Sequence, residues 1–490
     1  PLPIAILPPE ARTTGPLTFN IQEAVLQGLE NNRAFRVQRF SPALRRLNEQ
    51  TERAVFDPSI TGNASYSRTN TNRSAPADTT SKRASGSVGL NQFLPTGTDL
   101  SLDLSTQRSR TSGASSDYAS EVQFSVAQSL LRGGGPNAIA VNLASLRQAR
   151  LDTQISEYEL RGLAASQVSQ IAQTCWGYVL AQRQMKIYEQ SLALAEQQLD
   201  ESQERVSVGQ LAPTEMAAAQ AEVALRRQSL INARGALDTT RLRLLRLINP
   251  PTPNLWDRDV AVLDRPEDVG EVTVGPVEGY IKDALRMRPD LNQARLAIQS
   301  DDIELVRTRN GLLPRLDLFI TLGGTGYAGS FGGSIGSNDG HTRNNAVSVN
   351  FEYPLLNRAA RARHQRALLS RDQAEEALAN VTQLVETDVR TAHVQVLTAK
   401  NQIPATRATL KAQEESWRVE SEKFRVGKST SILVTRAARD LLSAQIDEIR
   451  AVIDYLQALV DLYRLDGSLL GRQGIDAPGA GPPSELQARK

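Results

Sequence analysis

The chain carries one architectural plan twice, and that duplication limits its fold more than any single residue does. Pro58 closes a long helical pattern, and Pro314 closes a second one at an offset of 256. The same offset relates Leu29 to Leu285 and Phe35 to Leu291. Further on the offset shortens. Leu130-Leu131 in QSLLRGG answers Leu355-Leu356 in YPLLNRA, and Val208-Gly209 in RVSVGQLAPTE answers Val426-Gly427 in KFRVGKSTSIL. Each copy reads as helix, polar strand region, very long helix, Val-Gly turn, helix, and such a repeat sets the architecture before individual side chains are interpreted. The expected layout is an extended segment at 1–17, copies at 18–250 and 276–470, a linker at 251–275 and a disordered Gly/Pro/polar tail at 471–490.

Within each copy the hydrophobic period changes. A helix is expected from about Phe19 to Val55, kinked at Pro42, and its counterpart from about Val277 to Gly311, with Pro289 in its first third. Between Pro58 and Leu131 the period becomes two: Ile60, Gly62, Ala64 and Tyr66 alternate with polar residues, as do Leu100, Leu102 and Leu104, and then Val122, Phe124 and Val126. In the second copy Leu316, Leu318, Ile320 and Leu322 share one face, and Val347, Val349, Phe351 and Tyr353 another. These are strands with one apolar and one polar face. The first copy has 73 positions from Pro58 to Leu131; the second has 42 from Pro314 to Leu356. The surplus of 31 fits one additional hairpin, SVGLNQFLPTGTDLSLDLS, turning at Pro95-Thr96-Gly97.

Very long helices follow. Pro136 to Val206 spans roughly 70 residues, or ~105 Å. Leu131 to Gly209 covers 78 positions and Leu356 to Gly427 covers 71, a difference of one heptad, which would leave the facing stripes of the two long helices aligned. In the last helix Leu442, Ile446, Ile449, Ile453, Leu456, Val460 and Tyr463 step by four and three, the spacing of a coiled-coil seam.

Composition removes other classes. With 56 basic and 54 acidic residues there is no charge excess to favour nucleic acid. Cys175, the only cysteine, lies in the helical pattern Val168, Ile171, Cys175, Tyr178 and reads as a small packed apolar residue. His341, His364 and His393 are too dispersed to share a metal within one chain, and neither RGGGPN nor the Gly-rich 323–340 loop has phosphate-loop spacing. No nucleophile–base constellation is visible, so no catalytic, metal or cofactor site is expected. The opening PLPIAILPPE lacks the basic region and apolar core of a targeting segment. No run approaches the ~18 apolar residues of a transmembrane helix, whereas a transmembrane β-strand gives a far weaker signal. One-sided strands fit a barrel that meets lipid outside and water inside, and the four to six strands of one chain fall short of the ~8 that close a membrane barrel, so closure takes several copies. A soluble or surface coiled-coil scaffold with an appended β-domain is the alternative, and an outer-membrane enzyme a more remote one.

From residue 18 to about 470 the chain resembles the TolC family of outer-membrane channel proteins. The helix–Pro58 and helix–Pro314 junctions, VAQSLLRGGG and FEYPLLNRAAR at the strand-to-helix boundaries, and the two Val-Gly turns carry the resemblance through their repeated order. It implies an α+β membrane protein: a homotrimeric β-barrel in outer-membrane lipid, continued by an α-helical coiled-coil barrel in the periplasm. It also implies a periplasmic adaptor and an inner-membrane pump or ABC transporter as partners, in efflux or type I secretion, and no nucleic acid. The family has four strands per protomer; the extra hairpin gives six here, hence eighteen in a trimer, or else an elongated hairpin outside a twelve-stranded wall. By resemblance, Val208, Gly209, Gln210, Val426, Gly427 and Lys428 would meet the adaptor, flanked by Arg205 and Arg425. The gate would comprise Phe424, Ser429, Leu433, Arg436 and Glu215. In the family's best-known member aspartates stand six and nine positions after the second glycine; Leu433 and Arg436 stand there in this chain, leaving Glu215, six after Gly209, as the acidic residue at equivalent spacing. Opening would separate the helices around 200–225 and 420–445, where Ala217, Ala218, Ala219, Ala221 and Ala224 permit close approach.

Overall fold

A computed structural model describes residues 15–71, 79–111, 113, 115–209, 212–268, 272–337 and 342–478. In chain order the elements are β1 (Leu17–Phe19), α1 (Ile21–Asn31), α2 (Arg33–Gln38), α3 (Ser41–Ala54), β2 (Ser59–Thr71), β3 (Thr79–Leu94), β4 (Thr98–Thr111), β5 (Asp117–Ser129), α4 (Ala138–Asn142), α5 (Ala144–Ser207) and α6 (Pro213–Ile248). The remainder is β6 (Val260–Val262), α7 (Val277–Met287), α8 (Pro289–Asn310), β7 (Arg315–Ala328), α9 (Phe331–Gly336), β8 (Arg343–Glu352), α10 (Arg358–Arg425), α11 (Ser431–Leu465) and α12 (Leu469–Arg472). These form two compact units, and each draws on both copies of the repeat. One is Pro42–Ser156 with Ala294–Leu378; the other is Pro1–Ser41, Glu157–Gln293 and Ala379–Lys490.

The first unit contains one antiparallel sheet in the order β2-β3-β4-β5-β7-β8. The extra hairpin is β3–β4, turning at 95–97 as the sequence suggests, with Gly97 at φ +79°. A Cβ at Gly97 would lie 2.2 Å from the Gly133 carbonyl oxygen, so both conformation and space demand glycine. The register carries one apolar face across all six strands. Ile60, Leu90, Leu102, Phe124 and Leu322 are successive cross-strand neighbours, and Ile320 meets Val347 while Leu318 meets Val349. Ile60, Leu90, Leu102, Phe124, Leu322, Val347 and Val349 are all exposed in the single chain. β2 and β8 are the sheet's open edges.

The glycine-rich RGGGPN segment is a clasp between sheet and helices rather than a plain linker. Asn142 Nδ2 donates to the carbonyls of Pro95 (3.0 Å) and Gly133 (2.9 Å), and the Gly133 amide donates to Asn310 Oδ1 at 2.8 Å. In the second copy Asn357, at φ +42°, sends its Nδ2 to the Leu312 carbonyl at 3.1 Å. The seven-position difference between the copies is the net of two changes: α5 starts 13 positions after Leu131 and has 64 residues, whereas α10 starts 2 positions after Leu356 and has 68. The aligned-heptad expectation therefore rested on residues that are outside the long helix.

In the second unit, the expected single helix from Phe19 to Val55 is broken at Asn32 and again at Arg39-Phe40. Asn32 is buried; its Oδ1 accepts from the Phe35 amide at 3.0 Å and its Nδ2 donates to the Leu247 carbonyl at 3.1 Å. A polar cap docked on α6 thus outcompetes continuation of the helix. The counterpart helix breaks at Arg288, immediately before Pro289, as the restriction on pre-proline residues requires. The core joins Ala24 and Val25 of α1, Val168, Ile171, Cys175 and Tyr178 of α5, Leu244, Leu245 and Ile248 of α6, and Leu469 and Leu470 of α12. The helical spacing around Cys175 is therefore a core stripe. A Cβ on Gly28 would stand 2.3 Å from Ile171 Cδ1, so α1 and α5 approach as closely as a glycine allows. β1 and β6 pair in parallel, Leu17 with Val260, and bring Leu255, Val260 and Val262 of the linker onto this core. The segment after 471, expected to be disordered, is ordered as far as the structure describes it: Ile475 and Ala477 pack on the core, and the Ala477 carbonyl accepts from Arg161 Nη1 at 3.0 Å. The rest of that tail, 479–490, lies outside the described residues.

Candidate functional site at the helical-hairpin tips

Two long hairpins, α5–α6 and α10–α11, end in the paired Val-Gly turns. Gly209 has φ +75° and Gly427 φ +76°, a conformation that L side chains resist. At the second turn the Gly427 amide donates to the Phe424 carbonyl (3.1 Å) and the Lys428 amide to the Lys423 carbonyl (2.8 Å). That pair of bonds is a Schellman motif, which satisfies the last carbonyls of α10. At the first turn the Gly209 amide donates to the Val206 carbonyl at 3.0 Å. Both turns push an apolar side chain into solvent: Val208 is 68% exposed and Val426 65%. Gly427 and Lys428 are exposed as well. Gln210 lies outside the described residues, as does His341.

Behind the turns the two hairpins meet through polar contacts. Arg205 places its guanidinium 4.8 Å over the Phe424 ring and donates to the Phe424 carbonyl at 3.3 Å. A residue expected at the adaptor surface is thus joined to one expected at the gate. Arg425 points elsewhere, pairing with Glu422 at 3.5 Å. Ser431 Oγ donates to Glu215, joining the starts of α11 and α6. Ser429 Oγ donates to Glu420, which also pairs with Lys423 at 3.3 Å; the hydroxyl and then the ammonium hold the Glu420 carboxyl below the usual glutamate range. Leu433 and Arg436 are exposed on α11 and take no part in these contacts.

Behind the tips lies a buried charge pair that the sequence did not single out. Glu222 on α6 forms an ion pair with Arg226, its Oε1 2.7 Å from Arg226 Nε, and each of these side chains is only 6% exposed. Glu222 also accepts from Arg439 Nε on α11 at 3.0 Å, an interaction that raises the Arg439 pKa. The alanines around Glu222 stood out in the sequence, but Glu222 itself did not. In the structure Ala217, Ala218, Ala221 and Ala224 are exposed, and Glu222 and Val223 face inward. The available signal was the Glu222/Arg226 spacing of one helical turn on a stripe otherwise short of large side chains. A cavity of about 450 Å³ lies among these residues, lined by Arg205, Glu222, Trp417, Phe424 and Ser431. The Trp417 indole N–H is buried there without an acceptor.

A sheet with one largely exposed apolar face, in a chain whose two long helical hairpins end in glycine turns, has the form of a membrane β-sheet joined to long helical hairpins. The sequence profile of the family described as "Outer membrane efflux protein" matches residues 94–250 and 280–468. The chain belongs to that family, and its place is the outer membrane, with the helical part periplasmic. It is 25% identical over 260 residues to the outer membrane protein TolC of Escherichia coli K12, an alignment covering 51% of this chain; the chain spans about half the length of that curated relative, 50%. The fold is shared with the CmeC outer membrane channel of Campylobacter jejuni: TM-score 0.70, 16% identity, 94% of this chain and 90% of that one. It is shared too with the open-state MtrE channel of Neisseria gonorrhoeae: TM-score 0.68, 18% identity, 92% and 89%.

Proposed function

We propose that this chain is the outer-membrane exit duct of a tripartite efflux pump or a type I secretion system, a passive water-filled conduit. The observation that carries the reading is the register of the sheet: six strands gather their apolar residues on one largely exposed face and leave two edges unpaired. A row of unpaired edge groups in lipid is prohibitively costly, so closure with other copies follows. Three copies would give an eighteen-stranded wall, with polar residues such as Ser101, Asp103 and Gln123 on the water side.

The conduit does no chemistry, and direction and energy come from partners. The exposed turns Val208-Gly209 and Val426-Gly427-Lys428, with Gln210, Arg205 and Arg425 beside them, are the surface offered to a periplasmic adaptor linked to an inner-membrane pump. The contacts Arg205–Phe424, Ser431–Glu215 and Arg439–Glu222 hold α5–α6 to α10–α11 and favour the closed packing. Leu433 and Arg436 project from α11 near them and, with Ser429, narrow the lumen and disfavour cations. Opening is a shift between two packings of these hairpins.

Planar-bilayer conductance of the detergent-purified protein, measured beside its native mass, tests the reading. Stable single-channel steps from a trimer are expected. A detergent-independent monomer or dimer without conductance would replace the duct with a coiled-coil scaffold. Unchanged conductance and ion selectivity in Arg436→Ala would remove Arg436 from the gate.

A further inference from the structure

The apolar face of the sheet ends, at its loop side, in a row of cations. Arg68 on β2 stands directly across from Lys82 on β3, and Lys82 directly across from Arg110 on β4. All three are exposed. Their positions have the same parity as Ile60, Leu90 and Leu102, so they lie on the apolar side of the sheet and not on its polar side. One row nearer the helices, Tyr66, Ala84, Arg108 and Tyr118 are successive neighbours, and the Arg108 guanidinium sits 5.5 Å over the Tyr118 ring. Below these come Ala64, Gly86, Thr106 and Ser120, and then the apolar rows through Val88, Leu104 and Val122. The order along the strands is apolar belt, tyrosine row, cation row, and amphipathic rings mark the membrane–water boundary. Arg110 lies six positions beyond Leu104 on β4. That is ~20 Å along the strand, or ~15 Å of height at a ~40° tilt. With Leu104, midway along β4, at the midplane of an apolar band ~25 Å tall, the cations sit at headgroup depth.

Like charges directly opposite one another destabilise a strand pair. Here three follow in succession, and among the described residues no Asp or Glu occupies this face of β2–β5 in the tyrosine or cation rows. At ~4.8 Å between strands the row spans ~10 Å, which suits an anion carrying more than one negative charge. Lysine offers a point charge and arginine a donor fork, the two groups that bind phosphate best. A soluble acidic partner would find only the outer rim of this surface. A ligand that also has acyl chains covers the adjoining belt at the same time.

We propose that Arg68, Lys82 and Arg110 bind the phosphorylated headgroup of an outer-leaflet lipid, with Tyr66, Tyr118 and Arg108 at its acyl boundary. The proposal rests on the reading of the sheet as part of an outer-membrane barrel wall.

The test is native mass spectrometry of the full chain in detergent. It is titrated with bisphosphoryl lipid A, with monophosphoryl lipid A, and with bisphosphoryl lipid A in the presence of millimolar inorganic phosphate. Bisphosphoryl lipid A should bind at least ten-fold tighter than the monophosphoryl form, and inorganic phosphate should not displace it. The triple variant Arg68→Gln, Lys82→Gln, Arg110→Gln should lose at least ten-fold in affinity. Lys82→Gln alone, at an exposed position, should lose several-fold even if the triple variant folds poorly. Affinity within two-fold of wild type in both variants, equal binding of the two lipids, or displacement by inorganic phosphate would each overturn the proposal. Planar-bilayer conductance separates the two readings. If wild type and variants conduct alike while lipid binding is unaltered by substitution, the headgroup site alone falls. If wild type never inserts, the barrel reading falls and takes the site with it.

Discussion

Substituting Glu222→Gln should loosen the hairpin tips far more than removing its exposed partner. Glu222 neutralises Arg226, and both side chains are 6% exposed. Removing one member of a buried pair leaves the other charge desolvated, at a cost of about 3–5 kcal/mol. Glutamine retains one acceptor, which places the expected loss near the low end, about 3 kcal/mol. Arg439, by contrast, is 54% exposed at the side chain. Its removal leaves the Glu222–Arg226 pair intact, so Arg439→Ala should cost less than about 1 kcal/mol, the scale of solvent-screened pairs. Hydrogen exchange of peptides from 213–230 and 431–445 reads this local opening directly. At about 1.4 kcal/mol per factor of ten, exchange there should speed up about 100-fold in Glu222→Gln and less than ten-fold in Arg439→Ala. Replacing both buried charges, Glu222→Leu with Arg226→Met, should restore most of the protection, because an apolar pair of similar volume avoids the desolvation altogether. Equal effects from Glu222→Gln and Arg439→Ala would refute the reasoning, for burial would then not govern the contact.

Three further outcomes follow from the geometry. Gly427→Val should cost about 1–2 kcal/mol locally through the positive φ alone, since nothing lies within 4 Å of the added Cβ; Gly427→Asn should cost less, and exchange of the α10–α11 tip is the readout. Gly28→Ala should cost about 1–3 kcal/mol of core stability from its clash with Ile171, and Ile171→Val should recover part of it in thermal unfolding. Cys175 is fully buried and burial pushes its thiol up to about 12, so a thiol reagent at pH 8 should modify it only after denaturation.

Strand faces were legible because a period of two survives even where the sheet is half polar. Leu100, Leu102 and Leu104 stood out, and the 31-position surplus located their hairpin partner β3. The Val-Gly turns were legible for an equally local reason, since glycine is the residue that tolerates φ near +75°. What stayed hidden depends on contacts distant in sequence. The β1–β6 pair joins two three-residue segments 243 positions apart, Leu17 with Val260, and neither is long enough to show a period. The break at Asn32 depends on the Leu247 carbonyl, 215 positions away. At the tips, the family resemblance assigned Arg205 to the adaptor surface and Phe424 to the gate, whereas the two side chains touch. Glu222 was passed over because a buried acid has no periodic signature until its arginine partners are known.

The unequal strand numbers of the two copies show what kind of insertion such a repeat can absorb. A single added strand would deliver the chain to the opposite end of the sheet, and the following long helix would start among the loops. A hairpin adds two strands and returns the chain to the end where the clasp of Asn142, Gly133 and Asn310 waits. It also preserves parity, so that Leu90 and Leu102 fall on the face already occupied by Ile60 and Phe124. The same reasoning accounts for Gly97. A β3–β4 turn that reaches the helix end must touch the Gly133 carbonyl without a side chain between, and the donors of Asn142 then bind the inserted turn to the strand–helix junction. An insertion of this form widens the sheet without disturbing the long helices that follow it, so α5 and α10 differ in length by less than the strand regions that precede them.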